Sequence, residues 1–241
     1  MSGPVPIATN QGVPVDQGNG GWMARSRRMV VLGRVALAAL GLFVVVVMAL
    51  SQCERLPVVR PWLQQFRGGQ PMPAYAAINR MLGLGTHPYL DLLPGAALSP
   101  ALRRVERDPT ARARLLSGAR VKIALTPDYA HINDKEGTIV VSWWYYHLGA
   151  NLDLYLDLLH ELTHLRQLRD GHDLWDARHP YTERPTEVEG YAVAVEEGRR
   201  LGMDEARVLA HLNQPWLTLD EVRALVTRID ALLAASPPAA E

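Results

Sequence analysis

Leu159-His160-Glu161-Leu162-Thr163-His164-Leu165 is the stretch on which the reading of this chain turns. Its centre fits the pattern H-E-x-x-H. On a helix, residues four apart share a face, so the imidazoles of His160 and His164 can reach one metal ion. Glu161 projects beside them, where it can take a proton from water. The pattern predicts a helix that binds Zn2+ through His160 and His164, with Glu161 as general base.

Working outward, the helix is expected to run from Asn151, a plausible cap, to a stop at Gly171. Asp153 suits its N-terminal dipole, and Arg166 and Arg169 suit its C-terminal end. Measured from His160 at about 100° per residue, Gln167 falls near −20°, Asp153 near 20°, His164 near 40°, Asp157 near 60° and Glu161 near 100°. These residues form one polar stripe. Most of the remaining surface is Leu152, Leu154, Tyr155, Leu158, Leu159, Leu162 and Leu165, so the helix should be largely buried. A buried row of acids and histidines without partners would cost several kcal/mol. A metal site or an open cleft removes the conflict.

Two histidines do not complete a zinc site. The third ligand is sought in Glu183-Arg-Pro-Thr-Glu187-Val-Glu189-Gly-Tyr191. With Pro185 opening a helix that reaches Leu201, Glu187 and Glu189 point about 200° apart. Glu189 shares its side with Glu196 and Arg200, which reads as a solvated face. Glu187 shares its side with Tyr191, Ala194 and Gly198, small enough in part for close helix packing. Glu187 is the favoured ligand and Glu189 the reserve.

Upstream, Arg120 to Thr126 and Thr138 to Ser142 read as strands joined through a turn at Asn133 to Gly137. The cluster Trp143, Trp144, Tyr145 and Tyr146 reads as core or interface. Short helices are expected at 74–84, 100–107 and 109–117, the last two opened by Ser99-Pro100 and Asp108-Pro109. The arginines at 103, 104, 107, 112 and 114 read as a solvated face. Downstream, helices are expected at Met203 to Leu212 and Asp220 to Ala235, the second preceded by the capping-box pattern Thr218-Leu-Asp-Glu221.

The amino-terminal part differs in kind. Residues 1–28 read as a disordered cytoplasmic tail ending in Arg25-Ser-Arg-Arg28. Met29 to Leu50 follows, apolar apart from Arg34. Its length of about 22 residues suits a transmembrane helix or signal anchor. The basic cluster places its own side in the cytoplasm and the rest of the chain outside. A cleaved signal peptide starting at Met23 and a lipidation site at Leu50-Ser-Gln-Cys53 are the alternatives. Residues 51–73 read as a linker, 74–235 as the folded domain and 236–241 as a disordered C-terminus. The chain of 241 residues carries 25 basic and 25 acidic side chains, which gives no reason to expect nucleic acid. With Cys53 as its one cysteine, it can form neither an internal disulfide nor a site of several thiolates.

H-E-x-x-H on a helix, followed about twenty residues later by a helix offering Glu, resembles the gluzincin-type zinc metallopeptidases. No single family within them is indicated. The resemblance spans residues 119–200. It implies an α+β fold: a predominantly helical zincin-like domain with a small β-sheet before the H-E-x-x-H helix. It also implies a peptide or protein substrate aligned along an edge strand. By the same resemblance, zinc activates water and Glu161 moves the proton from it to the leaving amine. Many gluzincins carry Asp four residues after the glutamate ligand, where this chain has Tyr191. Asp153 or Asp157 would have to orient a ligand instead. Tyr181, Tyr191, His172 and His179 are candidates for stabilising the oxyanion. The expected function is a membrane-anchored zinc metallopeptidase. The alternative is a catalytically silent zincin-like domain acting as a membrane-tethered binding or assembly protein.

Overall fold

Thr138-Ile-Val-Val-Ser142 is buried at every position, as a strand covered on both faces must be. It is one of four strands in the computed structural model, which describes residues 72–236. The strands are β1 (Gly85–Pro88), β2 (Arg120–Ala124), β3 (Ala130–Asn133) and β4 (Thr138–Ser142), in the order β1-β2-β4-β3. β2 and β4 pair in parallel, and the two outer strands run antiparallel to their neighbours. In β2, Val121 and Ile123 are buried and alternate with more exposed residues, the period of a strand. β3 and β4 form a hairpin. Its turn uses Gly137 at φ +58°, a left-handed conformation that glycine adopts without steric cost, and the Asn133 side chain accepts a bond from the Glu136 N–H.

The sequence reading expected two of these strands. β1 and β3 are additions, and both are four residues long. The expected membrane helix at Met29 to Leu50, the tail before it and most of the linker lie outside the described residues. Among the described residues, no helix is long and apolar enough to cross a membrane.

The helices are α1 (Tyr89–Leu92), α2 (Leu102–Val105), α3 (Pro109–Gly118), α4 (Trp143–Leu148), α5 (Asn151–Arg169), α6 (Pro185–Arg200), α7 (Glu205–Leu212) and α8 (Leu219–Ala235). The domain is thus mixed α+β, a small sheet with mostly helices around it. Asp108 caps α3, Asp204 caps α7, and Thr218 with Glu221 forms the capping box of α8. The expected helix over 74–84 is replaced by a 3-10 turn at Ala74–Ala76 and an irregular segment. Arg80 explains the difference. Its guanidinium is buried and donates to the carbonyls of Tyr145 (3.4 Å) and Gly149 (2.9 Å) and to Asn151 Oδ1 (2.7 Å). Tyr146 holds the same segment by donating to the Asn79 carbonyl and accepting from the Leu82 N–H. These charge-assisted and buried bonds outweigh local helix preference. Asn151 is thereby a partner of Arg80, and Ala150 takes the N-cap position of α5.

α5 packs on β3 and β4 on one side and on α6 on another, and α8 covers α6. That position explains its leucines. Leu154, Leu156, Leu158, Leu159 and Leu162 are all buried, each contributing about 1.5–3 kcal/mol of transfer free energy. α6 meets α5 closely because its inner side is small. A Cβ on Gly198 would stand 3.2 Å from Leu156 Cδ1 and 2.5 Å from Met203 Sδ. Ala192 and Ala194 are buried on the same helix.

Candidate metal centre

Where α5 and α6 face each other, three side chains meet. His160 Nε2 lies 3.6 Å and His164 Nε2 3.5 Å from the same oxygen, Oε2 of Glu187. The two imidazoles stand edge to face, with centroids 4.4 Å apart. All three residues are buried, and their ligand atoms lie within 4.8 Å of one another. Glu187 Oε2 has no hydrogen-bond partner, an arrangement that is costly for a buried carboxylate. Its separations from the nitrogens are too long for good hydrogen bonds. They match the spacing of two ligands on one small ion, since bonds of 2.0–2.1 Å in a tetrahedron give edges of about 3.3 Å. His160, His164 and Glu187 therefore form a buried group that can hold a metal ion.

Charge balance supports the same reading. Burial and the neighbouring His164 hold His160 well below its ordinary pKa, so it is neutral. Burial also lowers the affinity of His164 for a proton, but the close Glu187 oxygen, the charges of Glu187 and Glu161 and the contact with Gln167 outweigh this and raise its pKa to about 9. Arg184 Nη1 lies 3.9 Å from Glu187 Oε1, and on the Oε2 side a proton on His164 or a cation can supply positive charge. Burial pushes the Glu161 carboxyl up to about 8, with Glu187 and Asp157 adding to the effect and His164 opposing it. Glu161 Oε2 is buried without a hydrogen-bond partner.

The histidines are supported differently. His164 Nδ1 lies 2.8 Å from Gln167 Oε1. Gln167 Nε2 donates to the Thr186 carbonyl (3.1 Å) and to Glu189 Oε2 (2.7 Å), and Arg166 donates to Glu189 Oε1 (2.6 Å). His160 Nδ1 has no hydrogen-bond partner and lies against Gly190, where a Cβ would come within 2.9 Å of it. The Tyr191 ring covers His160 at 4.2 Å.

Glu187 thus faces the histidines, while the reserve residue Glu189 is held by Arg166 and Gln167. Its predicted solvated face is in part an interhelix contact. Asp153 and Asp157 do not orient a ligand. Asp153 pairs with Arg207 and lies 3.4 Å from His211 Nδ1. Asp157 accepts from the Tyr145 hydroxyl and lies 3.6 Å from His211 Nε2. Of the four oxyanion candidates, His172 and His179 are exposed in the loop after α5. The hydroxyls of Tyr181 and Tyr191 lie 2.7 Å apart, and burial keeps both protonated. Beyond them, the exposed Trp216 ring meets Tyr181 edge on, at 6.1 Å.

Gly190 and His211 were missed from the sequence. One glycine inside a helix and one histidine on another carry no spacing signal. Gln167 was visible as a member of the polar stripe, but not as a partner of His164. Comparison with family models, curated proteins and solved structures returned no match.

Proposed function

We propose that this chain is a membrane-anchored, zinc-dependent metallopeptidase that hydrolyses peptide bonds outside the cytoplasm. The observation that carries the reading is the meeting of His160, His164 and Glu187 around one oxygen, with the unpartnered Glu161 carboxyl on the same helix. Two imidazoles and one carboxylate are a donor set that suits zinc and leaves a position for water or substrate. Zinc held there would supply the Lewis acidity that polarises a scissile carbonyl and activates water near neutral pH. Glu161 accepts the proton that water gives up on attack and returns it to the leaving amine. Tyr191, beside His160, and Tyr181, whose hydroxyl meets that of Tyr191, offer O–H donors for charge on the carbonyl oxygen.

The sheet supports an extended substrate. Ser142 donates its N–H to the Tyr129 carbonyl, so the hydrogen-bonded pairs of the hairpin fall on alternate residues. Ala130 and Ile132 therefore turn their backbone groups to the outer edge of β3, where a peptide strand can pair. The membrane anchor and the location outside the cytoplasm rest on the basic cluster before Met29 and the apolar run to Leu50.

One observation favours a second reading, a catalytically silent zincin-like domain that binds a partner. His160, Glu161, His164 and Glu187 are only 5–7% exposed, which leaves little room for a substrate without movement. Zinc analysis and peptide hydrolysis by the full chain separate the two. The peptidase reading expects one zinc per chain, cleavage within a peptide library, and a loss of roughly 10²–10⁴-fold in Glu161→Gln with zinc retained. Zinc without cleavage, or cleavage indifferent to Glu161→Gln, would establish the silent domain or another catalyst. A chain without zinc under conditions that preserve bound metal would overturn both readings.

A further inference from the structure

We infer that Gln167 is a positioning residue: it fixes a proton on Nδ1 of His164 and so turns Nε2 toward the metal, while Glu189 and the Thr186 carbonyl hold Gln167 in that orientation. This rests on the metal reading above, and deepens it by assigning roles to two residues outside the ligand set.

An amide side chain has a donor end and an acceptor end of nearly the same shape, so its neighbours decide which is which. On the α6 side, Gln167 meets the Thr186 carbonyl at 3.1 Å and the Glu189 carboxylate at 2.7 Å. Both accept and neither donates, so the NH2 group must face them. The opposite orientation would set the amide oxygen against two acceptors. The oxygen is therefore committed to His164 Nδ1, 2.8 Å away. An acceptor at that distance requires an N–H on Nδ1. The remaining nitrogen, Nε2, is the one that faces Glu187 Oε2. A ligand whose far nitrogen is held in this way needs no reorientation when metal binds.

Glu189 is fixed in its turn by Arg166 at 2.6 Å, and Gln167 is almost wholly buried, so water does not compete freely for its bonds. The chain Arg166–Glu189–Gln167–His164 crosses twice between α5 and α6. It links the register of the two ligand-bearing helices to the orientation of one imidazole. His160 has no equivalent. Packing against Gly190 and Tyr191 holds its ring, and no side chain bonds to its Nδ1.

The test uses the full chain labelled with ¹⁵N-histidine, with zinc affinity measured by competition against a chromophoric chelator. In the wild type, the His164 Nδ1–H resonance is expected to be protected from exchange in both the metal-free and the zinc-loaded protein. Gln167→Ala should lose that protection and bind zinc roughly 10–100-fold more weakly. The exchange Gln167→Glu with Glu189→Gln keeps an acceptor at His164 and a donor at position 189, but sets a carboxylate oxygen against the Thr186 carbonyl, and should recover part of the affinity. Unchanged affinity in folded Gln167→Ala, or a wild-type His164 protonated on Nε2 and bare on Nδ1, would overturn the inference. If Gln167→Ala does not fold, the wild-type resonance and the paired exchange decide in the same sense. If the wild type binds no zinc, the metal reading fails. The protected Nδ1–H of that same sample then supports the positioning role by its presence and refutes it by its absence.

Discussion

Gly190→Ala adds one methyl group to the middle of α6, and that group lands on a candidate metal ligand. It would stand 2.9 Å from His160 Nδ1 and 3.0 Å from Cε1. Ordinary contact begins near 3.4 Å, so the imidazole must retreat by about 0.5 Å. It has little room to do so, with the Tyr191 ring at 4.2 Å and the His164 ring at 4.4 Å. Two stability effects then oppose each other. Alanine is favoured over glycine inside a helix by about 1 kcal/mol, and overpacking costs about 1–3 kcal/mol. The metal-free protein should therefore lose no more than about 2 kcal/mol. Metal binding is less forgiving, because ligand distances tolerate only about ±0.2 Å. Zinc affinity should fall roughly 10–100-fold, the range seen when support for a ligand is lost. Chelator competition measures the affinity, and thermal melts with chelator present measure the stability. Wild-type affinity in a folded Gly190→Ala protein would refute the claim that close packing against Gly190 places His160.

Metal removal gives a second prediction. Zinc at about 100 times its dissociation constant should stabilise the protein by about 2.7 kcal/mol, raising the melting temperature by roughly 5–10 °C, and Glu187→Ala should abolish the rise. A third concerns His211. Burial disfavours its charge, but Asp153 and Asp157 outweigh burial and Arg207, and raise its pKa above 6.5. Its stabilising effect is then full below about pH 6.5 and lost as pH rises through the raised value. With metal removed, the stability gap between wild type and His211→Gln should shrink from pH 6 to pH 9, and a constant gap in denaturant titrations would contradict the pairing. A fourth follows from the rings running outward from His160 through Tyr191 and Tyr181 to Trp216. If substrate approaches along them, Trp216→Ala should raise KM roughly 3–10-fold for peptides with an aromatic residue beside the cleaved bond, leaving kcat unchanged. Equal KM for aromatic and alanine peptides in both proteins would remove Trp216 from recognition.

The buried group that can hold a metal ion was legible because its information is local. His160, Glu161 and His164 lie within one helical turn and a half, and Glu187 was separated from Glu189 by the direction each takes from a helix starting at Pro185. The capping box of α8 was legible for the same reason, since Thr218 and Glu221 satisfy each other. β1 and β3 were not. Gly85-Thr-His-Pro88 is mostly exposed and contains a proline, and Ala130 to Asn133 has one buried residue, so neither carries the alternation that marks a strand. Their existence depends on pairing with β2 and β4. The segment 74–84 misled for a related reason: Arg80 and its partners at 145, 149 and 151 are far apart in sequence, and local preference says nothing of them. His211 was invisible because Asp153 and Asp157 reach it only after α5 and α7 pack.

Arg80 also bears on where the domain can be cut. A fragment beginning at Gly83 would lose the guanidinium that satisfies the carbonyls of Tyr145 and Gly149 just before α5, and Tyr146 would lose the Asn79 carbonyl. Beginning after Tyr75 would remove its bond to Arg200, on the helix that carries Glu187. At the other end, Arg104 holds the Ser236 carbonyl while also pairing with Glu196 of α6. These contacts extend past both ends of the helical core, and at each end an arginine makes them beyond the last turn of regular structure, so a fragment cut inside them is expected to lose stability.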